Sequence, residues 1–142
     1  MKTVKLVAVF AENKPGQAAG VTKILADAGI NIRWVTVASI GQYGVIKLLV
    51  NNPERACKAL SQAGYAATFT EVITVAMPDK PGALYRVVDC LARHGINLSN
   101  TSGCVANNRA ILVLEVENPD LTRKVLEEQG LQVLTPEEIM AI

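Results

Sequence analysis

The pattern of apolar and polar residues changes period along the chain, and the same change occurs twice. Residues 5–10 and 72–77 are short runs rich in Val, Ile and Phe, which predicts strands. After each run the apolar positions follow a helical period, which predicts one buried stripe on each of two helices. The stripes are formed by Ala18, Val21, Leu25 and Ala28 and by Leu84, Val87, Val88 and Leu91.

Proline and glycine mark where these helices begin and end. Pro-Gly at 15–16 and 81–82 is predicted to open them, because the first turn of a helix tolerates proline. Gly29 and Gly95 are predicted to end them as left-handed residues. Further strands follow at 30–39, 45–50, 96–105 and 110–116.

Two later helices begin with the same three kinds of residue. Asn-Pro-Glu at 52–54 and Asn-Pro-Asp at 118–120 each supply a capping side chain, a first-turn proline and a first-turn acid. These helices end at Gly64 and Gly130, and a fourth short strand follows each. Thr135 with Glu138 has the form of a capping box, so a short helix is predicted there.

All these landmarks recur at one offset, since Pro81 lies 66 residues after Pro15 and the other pairs keep that spacing. The chain is therefore predicted to be a duplication of a βαββαβ unit. The fold class is α+β: tandem ferredoxin-like units, each an antiparallel sheet with helices on one face. The predicted domains are 1–70 and 71–142. Residues 66–77 contain no Gly or Pro, so no linker is expected between the two.

The predicted sheet of the first copy is apolar on both faces, so both should be covered, the second by the sister copy or another chain. In the third strand Val45 and Leu49 are assigned to one face. Ile46, Leu48 and Val50 are assigned to the other. In the second strand Val35 and Val37 are predicted to oppose Ile32 and Trp34.

Composition and charge exclude several classes of protein. Half of the 142 residues are apolar, which excludes a disordered chain, and the 14 basic residues are scattered, which argues against nucleic-acid or membrane surfaces. Lys5 interrupts the first apolar run, so this segment is expected to belong to the fold rather than to a signal peptide. Cys57, Cys90 and Cys104 are odd in number and far apart, which indicates reduced thiols in a cytoplasmic protein.

The sequence does not predict an enzyme, a metal site or a cofactor. The one histidine, His94, falls at a helix end, where a cation suits the helix dipole. No Ser or Cys is paired with a base, and no cluster has metal-ligand spacing. Ferredoxin-like RNA-binding units need aromatic central strands, copper chaperones need paired cysteines in the first loop, and acylphosphatases need an arginine there; all three features are missing.

The repeated loops 13–16 and 79–82 are the candidate binding feature. Each lies between a strand and a helix start, where unpaired N–H groups and the helix dipole favour a carboxylate. Asn31 and Asn97 are each expected to place an amide on a strand beside the loop. A well-made turn and a merely exposed asparagine are the alternatives, and the sequence leaves them open.

The [Asn/Asp]-x-Pro-Gly loop and the Gly-Ile-Asn-[Ile/Leu] strand start resemble the ACT domain family, over nearly the whole chain and in both copies. That family consists of small regulatory modules that bind amino acids where two domains meet. The arrangement is similar to free-standing tandem-ACT proteins. The resemblance implies ligand-binding roles for Asn13, Pro15, Gly16 and Asn31, and for Asp79, Pro81, Gly82 and Asn97.

The two copies differ around these motifs. The bulky residue that the family often has two places after the loop glycine is Leu84 in the second copy, next to Ala83, but Ala18 in the first. Arg33 offers a cation for a carboxylate in the first copy. In the second copy Ser99, Asn100 and Thr101 are expected to hydrogen-bond the polar groups of an amino acid, and the candidate site there also includes Asn97 and Leu98. Solvent exposure is the alternative explanation for Arg33 and for this polar segment, and the sequence leaves it open. The second copy is favoured as the better site.

The resemblance and the residues together predict a non-catalytic homodimer. It would bind a free L-amino acid at ACT-domain interfaces and signal amino-acid supply to a separate enzyme of amino-acid metabolism. The alternative is an interaction module that docks on an enzyme without any ligand. Conserved surface patches away from the loops would distinguish this interaction module from an amino-acid sensor.

Overall fold

The computed structural model describes residues 3–142, which form two compact units. The N-terminal unit is Lys5–Thr70, and the C-terminal unit is Glu71–Ile142 with the described residues before Lys5. The elements are β1 (Val4–Glu12), α1 (Gln17–Asp27), β2 (Ile32–Ile40), β3 (Tyr43–Val50), α2 (Pro53–Gln62), β4 (Ala66–Pro78), α3 (Ala83–Arg93), β5 (Thr101–Ala106), β6 (Arg109–Leu114), α4 (Pro119–Glu128), β7 (Gln132–Val133) and α5 (Pro136–Met140). The α+β class and the repeated βαββαβ order are confirmed. β4 runs unbroken through the junction, as predicted.

In the N-terminal unit, β3 pairs antiparallel with both β1 and β2. β2 is therefore an edge strand, and β1 and β2 run in the same direction. The apolar stripes of α1 and α2 pack on one face of this sheet, against the strand residues whose side chains alternate onto that face. The core they enclose consists of Val7, Val9, Val21, Leu25, Ile30, Ile46, Leu48, Val50, Ala56 and Leu60.

The C-terminal unit has the same plan, with β6 antiparallel to β4 and β5, and β7 antiparallel to β4. α3 and α4 supply its core with Val87, Leu91, Val125 and Leu126. The other sheet face is buried as well: Thr74, Ala76, Ile111 and Val113 in this unit, and Leu6, Ala8 and Leu49 in the N-terminal unit.

The prediction that Val35 and Val37 oppose Ile32 and Trp34 is confirmed for Trp34, which pairs with Leu49, but wrong for Ile32. The β2–β3 register shifts between Ile32 and Trp34, so one extra residue occupies the edge strand. Val35 and Val37 therefore lie opposite Leu48 and Ile46, on the same core-facing side as Ile32. Both valines remain more than half exposed, because they lie on the edge strand.

The predicted second strand of the second copy, 96–105, is too long. Regular pairing begins only at Thr101, where β5 meets β6. Before it, Ser99 N–H donates to the Glu115 carbonyl at 3.0 Å and Glu115 N–H donates to the Asn100 carbonyl at 3.3 Å. The polar run 97–100 lacks the alternation that would hold a longer strand on the core.

The helix starts differ from the prediction in one respect. Gly16 and Gly82, not the prolines, adjoin α1 and α3, and they adopt left-handed φ values of 93° and 89° as N-caps. Each proline lies one residue earlier, in the turn. The predicted left-handed Gly29 and Gly95 are confirmed, with φ of 71° and 69°. From the predicted stripes, Ala18, Leu84 and Val88 are exposed.

The predicted caps of the later helices are confirmed. The side chains of Asn52 and Asn118 accept the backbone N–H groups of Arg55 and Leu121, each at 3.1 Å. The capping box of α5 is also formed, since Glu138 N–H donates to Thr135 Oγ1 at 3.1 Å and Thr135 N–H donates to Glu138 Oε1 at 3.0 Å. These side chains satisfy N–H groups that a helix leaves unpaired.

The Asn118→Ala variant should lower the free energy of unfolding by about 1 kcal/mol, because the N–H of Leu121 loses its acceptor. Urea unfolding followed by circular dichroism measures the change. Asn118→Asp keeps an acceptor oxygen and should stay close to the parent chain. If Asn118→Asp is as destabilised as Asn118→Ala, the side-chain cap is not the source of the stability.

The three free thiols should differ in reactivity. Cys104 is exposed, whereas Cys90 is buried, and burial, followed by the negative charge of Asp89, raises the pKa of the Cys90 thiol. A raised pKa leaves less thiolate at a given pH, and thiolate is the form that is alkylated. Iodoacetamide at pH 8 should therefore label Cys104 well before Cys90, as read by peptide mass spectrometry. Equal rates in the folded chain would contradict this, and unfolding in urea is the control that should remove the difference.

Candidate functional site

The loop between β1 and α1 is fastened to the turn between β2 and β3. Asn13 N–H donates to the Gln42 carbonyl at 2.6 Å, and Asn13 Nδ2 donates to the Gly41 carbonyl at 3.1 Å. One amide side chain therefore bonds to the neighbouring turn. In the C-terminal unit the equivalent residue is Asp79, whose side chain has no N–H group to donate to such a carbonyl.

A cleft of about 410 Å³ lies beside this loop, within the N-terminal unit. This volume is in the range of about 300–1,000 Å³ that small-molecule sites occupy. Ile46, only 4% exposed, is the most deeply buried of its residues, whereas Val37 is 59% exposed. The cleft is lined by Ala11, Glu12, Asn13, Lys14, Pro15, Gln17, Ala18, Val37, Ser39, Gly44 and Ile46.

One ion pair lies among the cleft residues. Lys14 Nζ is 3.2 Å from Glu12 Oε2, and both side chains are more than half exposed. Because water screens such a pair, it contributes only about 0–1 kcal/mol to stability. Its two charges are therefore available to a ligand at little cost to the fold.

Asn31 and Arg33 lie at the opposite end of the same unit. Asn31 N–H donates to Asn51 Oδ1 at 3.1 Å, and Asn51 N–H donates to the Asn31 carbonyl at 3.2 Å, where β3 ends. The loop instead contacts the turn where β2 ends. A strand of the length of β2 spans about 26 Å, at about 3.3 Å per residue.

The expectation that Asn31 lies beside the loop of its own unit is therefore wrong. β1 and β2 are both antiparallel to β3, so the end of β1 lies near the end of β2 and not near its start. Arg33 occupies the irregular position between Ile32 and Trp34 and is exposed there.

The C-terminal unit repeats this separation. Pro78, next to the loop 79–82, pairs with Arg109, whereas the segment 97–100 adjoins Glu115 at the other end of β6. Asn97, Ser99 and Asn100 are exposed. Asp79, Pro81 and Gly82 are likewise exposed, and so is Leu84; Ala83 and Leu98 are partly buried against the core.

The structure thus brings Asn13 and Pro15 into the cleft, with Gly16 as the adjoining cap. Sequence reasoning missed Glu12, Lys14, Val37 and Ile46, and also Gln17 and Ser39. The signal that could have found part of this set is a break in the repeat: Glu12 becomes Pro78 and Ala18 becomes Leu84 at the same offset.

Within residues 3–142, no three His, Cys, Asp or Glu side chains are grouped so that they could hold a metal ion. In the same range no helix is both long and apolar enough to cross a membrane. Nδ1 of His94 lies 2.8 Å from the Cys90 carbonyl, so this ring contacts the backbone of the last turn of α3.

Comparison with known proteins gives one family and several similar structures. The family model for the ACT domain pair matches residues 2–142. Protein BT0572 from Bacteroides thetaiotaomicron is 29% identical, with a TM-score of 0.94 over 99% of this chain and 98% of that one. No curated protein matches the chain.

Two aspartate kinase regulatory subunits share the fold at lower identity. The ligand-free subunit from Thermus thermophilus is 17% identical, with a TM-score of 0.64 over 87% of this chain and 91% of that one. The subunit from Thermus flavus is 16% identical, with a TM-score of 0.59 over 87% and 90%.

Proposed function

The chain belongs to the ACT domain pair family, and from this we propose that it is a non-catalytic regulatory protein that binds a free L-amino acid. The observation that carries the proposal is the cleft beside the loop 13–16, which combines an apolar floor with both signs of charge. An amino acid has the matching chemistry, because it carries a carboxylate, an ammonium group and a side chain. The helix start beside the cleft also favours a carboxylate.

The output of such a sensor is a change in another protein. The fold shared with aspartate kinase regulatory subunits supports an enzyme of amino-acid metabolism as the partner. The binding energy of the amino acid would favour one conformation or assembly over another, and the partner would respond to that difference.

We also propose that the protein is a homodimer. Asn31 and the loop 13–16 lie at opposite ends of one unit, so a site that uses both needs a second copy of the chain. The edge strand β2 also exposes Val35 and Ile40, which a second copy would cover.

A ligand-independent interaction module is the second candidate. The observation in its favour is on α3, where Leu84, Tyr85 and Val88 are exposed together. Val88 lies four residues after Leu84 and three after Tyr85, so its side chain neighbours both on the helix surface, as in a docking surface. This candidate predicts that partner capture is the same with and without amino acids.

A thermal-shift screen of the purified full-length chain against the twenty amino acids at millimolar concentration tests the proposal. A ligand at 100 times its Kd stabilises the native state by about 2.7 kcal/mol, so at least one L-amino acid should raise the Tm. Its D-enantiomer is the matched control and should raise the Tm less. No stabilisation by any of the twenty, together with partner capture unaffected by them, would favour the interaction module.

A further inference from the structure

We propose that the amino acid is bound in the N-terminal unit's cleft and that it is one with a large apolar side chain, such as leucine or phenylalanine. In this arrangement Lys14 pairs with its carboxylate and Glu12 with its ammonium group. The inference rests on the proposed function, since it names the site and the ligand class within it.

The apolar part of the cleft defines the ligand class. Ala11, Ala18, Val37 and Ile46 line it, and Val37 exposes 59% of its surface in the free chain. An apolar ligand side chain would remove this surface from water, whereas a charged one would lose part of its hydration and find only the neutral polar groups of Asn13, Gln17 and Ser39 besides the Glu12–Lys14 pair. The cleft therefore favours apolar over acidic or basic amino acids.

The polar part of the cleft matches the ligand's main-chain groups. Glu12 and Lys14 provide one negative and one positive charge 3.2 Å apart. The carboxylate and ammonium of an amino acid are also adjacent and of opposite sign, so each finds its counterion. A side chain with a further charge would leave that charge unmatched by this pair.

The C-terminal unit differs in both parts at the equivalent positions. Pro78 replaces Glu12, and the acid beside the lysine is instead Asp79, which takes the place of Asn13. Gly103 replaces Val37, and Leu84 replaces Ala18 and brings a larger side chain to the first turn of the helix. The C-terminal copy keeps an acid and a lysine in its loop, but the small helix residue and the apolar strand residue of the N-terminal cleft are both replaced.

This assignment reverses the preference for the second copy that its polar residues 97–100 suggested. Those residues lie at the other end of the sheet from the loop 79–82. These polar residues form an irregular, exposed segment of backbone. They do not contribute groups to a site at the loop 79–82.

Isothermal titration of the full chain with L-leucine and L-phenylalanine, and with L-aspartate and L-lysine for comparison, tests the inference. Ala18→Leu copies the C-terminal unit and should weaken binding of the apolar probes at least tenfold by occupying the cleft. Ala19→Leu is the matched control, because Ala19 is also exposed on α1 but does not line the cleft. Its affinity should stay within twofold of the parent chain.

A second pair of variants avoids any dependence on the helix. Val37→Ser should weaken binding of L-leucine severalfold, whereas Val105→Ser should not change it. Both valines are 59% exposed on edge strands, so the two substitutions disturb the fold to a similar extent. Glu12→Gln should weaken both apolar probes by a similar factor, because it acts on the ammonium group that they share.

The outcomes separate this inference from the proposed function. If an amino acid binds but Ala18→Leu and Val37→Ser leave its affinity unchanged, the cleft assignment is overturned and the sensor remains. Preferential binding of L-aspartate or L-lysine would overturn the ligand class alone. If none of the twenty amino acids binds, both the inference and the proposed function fail.

Discussion

The antiparallel pairing of β3 with both β1 and β2 is the constraint on which the N-terminal site depends. It makes the end of β1 and the turn between β2 and β3 neighbours, and Asn13 joins them through two hydrogen bonds. The loop before α1 is therefore held against the turn between β2 and β3 at the edge of the sheet. The same pairing leaves β2 at the edge, so Val37 lines the cleft and stays more than half exposed.

The duplication explains why the two units share a scaffold and differ in their chemistry. Left-handed glycines and capping asparagines recur because the backbone geometry at these points admits few alternatives. Exposed positions are under no such restriction. Ala18 and Leu84 occupy the same place in the first turn of a helix, and neither is needed by the core. Divergence at such positions can change binding without changing the fold.

The comparisons support the family and the fold, whereas the geometry of the cleft supports the proposed ligand class. The family match extends over nearly the whole chain and establishes an ACT domain pair. The kinase regulatory subunits are only 16–17% identical in sequence, and at that distance the likeness shows a shared fold. The proposed ligand class follows instead from the residues of the cleft, where apolar side chains and one ion pair lie together.

The sequence by itself determined the repeat, the order of elements, the helix caps and the α+β class, because these depend on local periodicity and on residues with restricted backbone conformations. It also located the loop 13–16. It did not place Asn31, because its distance from the loop follows from strand direction. Nor did it show that Val35 and Val37 share a face with Ile32, since one irregular residue at Arg33 shifts the alternation between them. Only the tertiary structure brought Val37 and Ile46 beside Lys14, because long-range strand pairing joins residues that no local pattern connects.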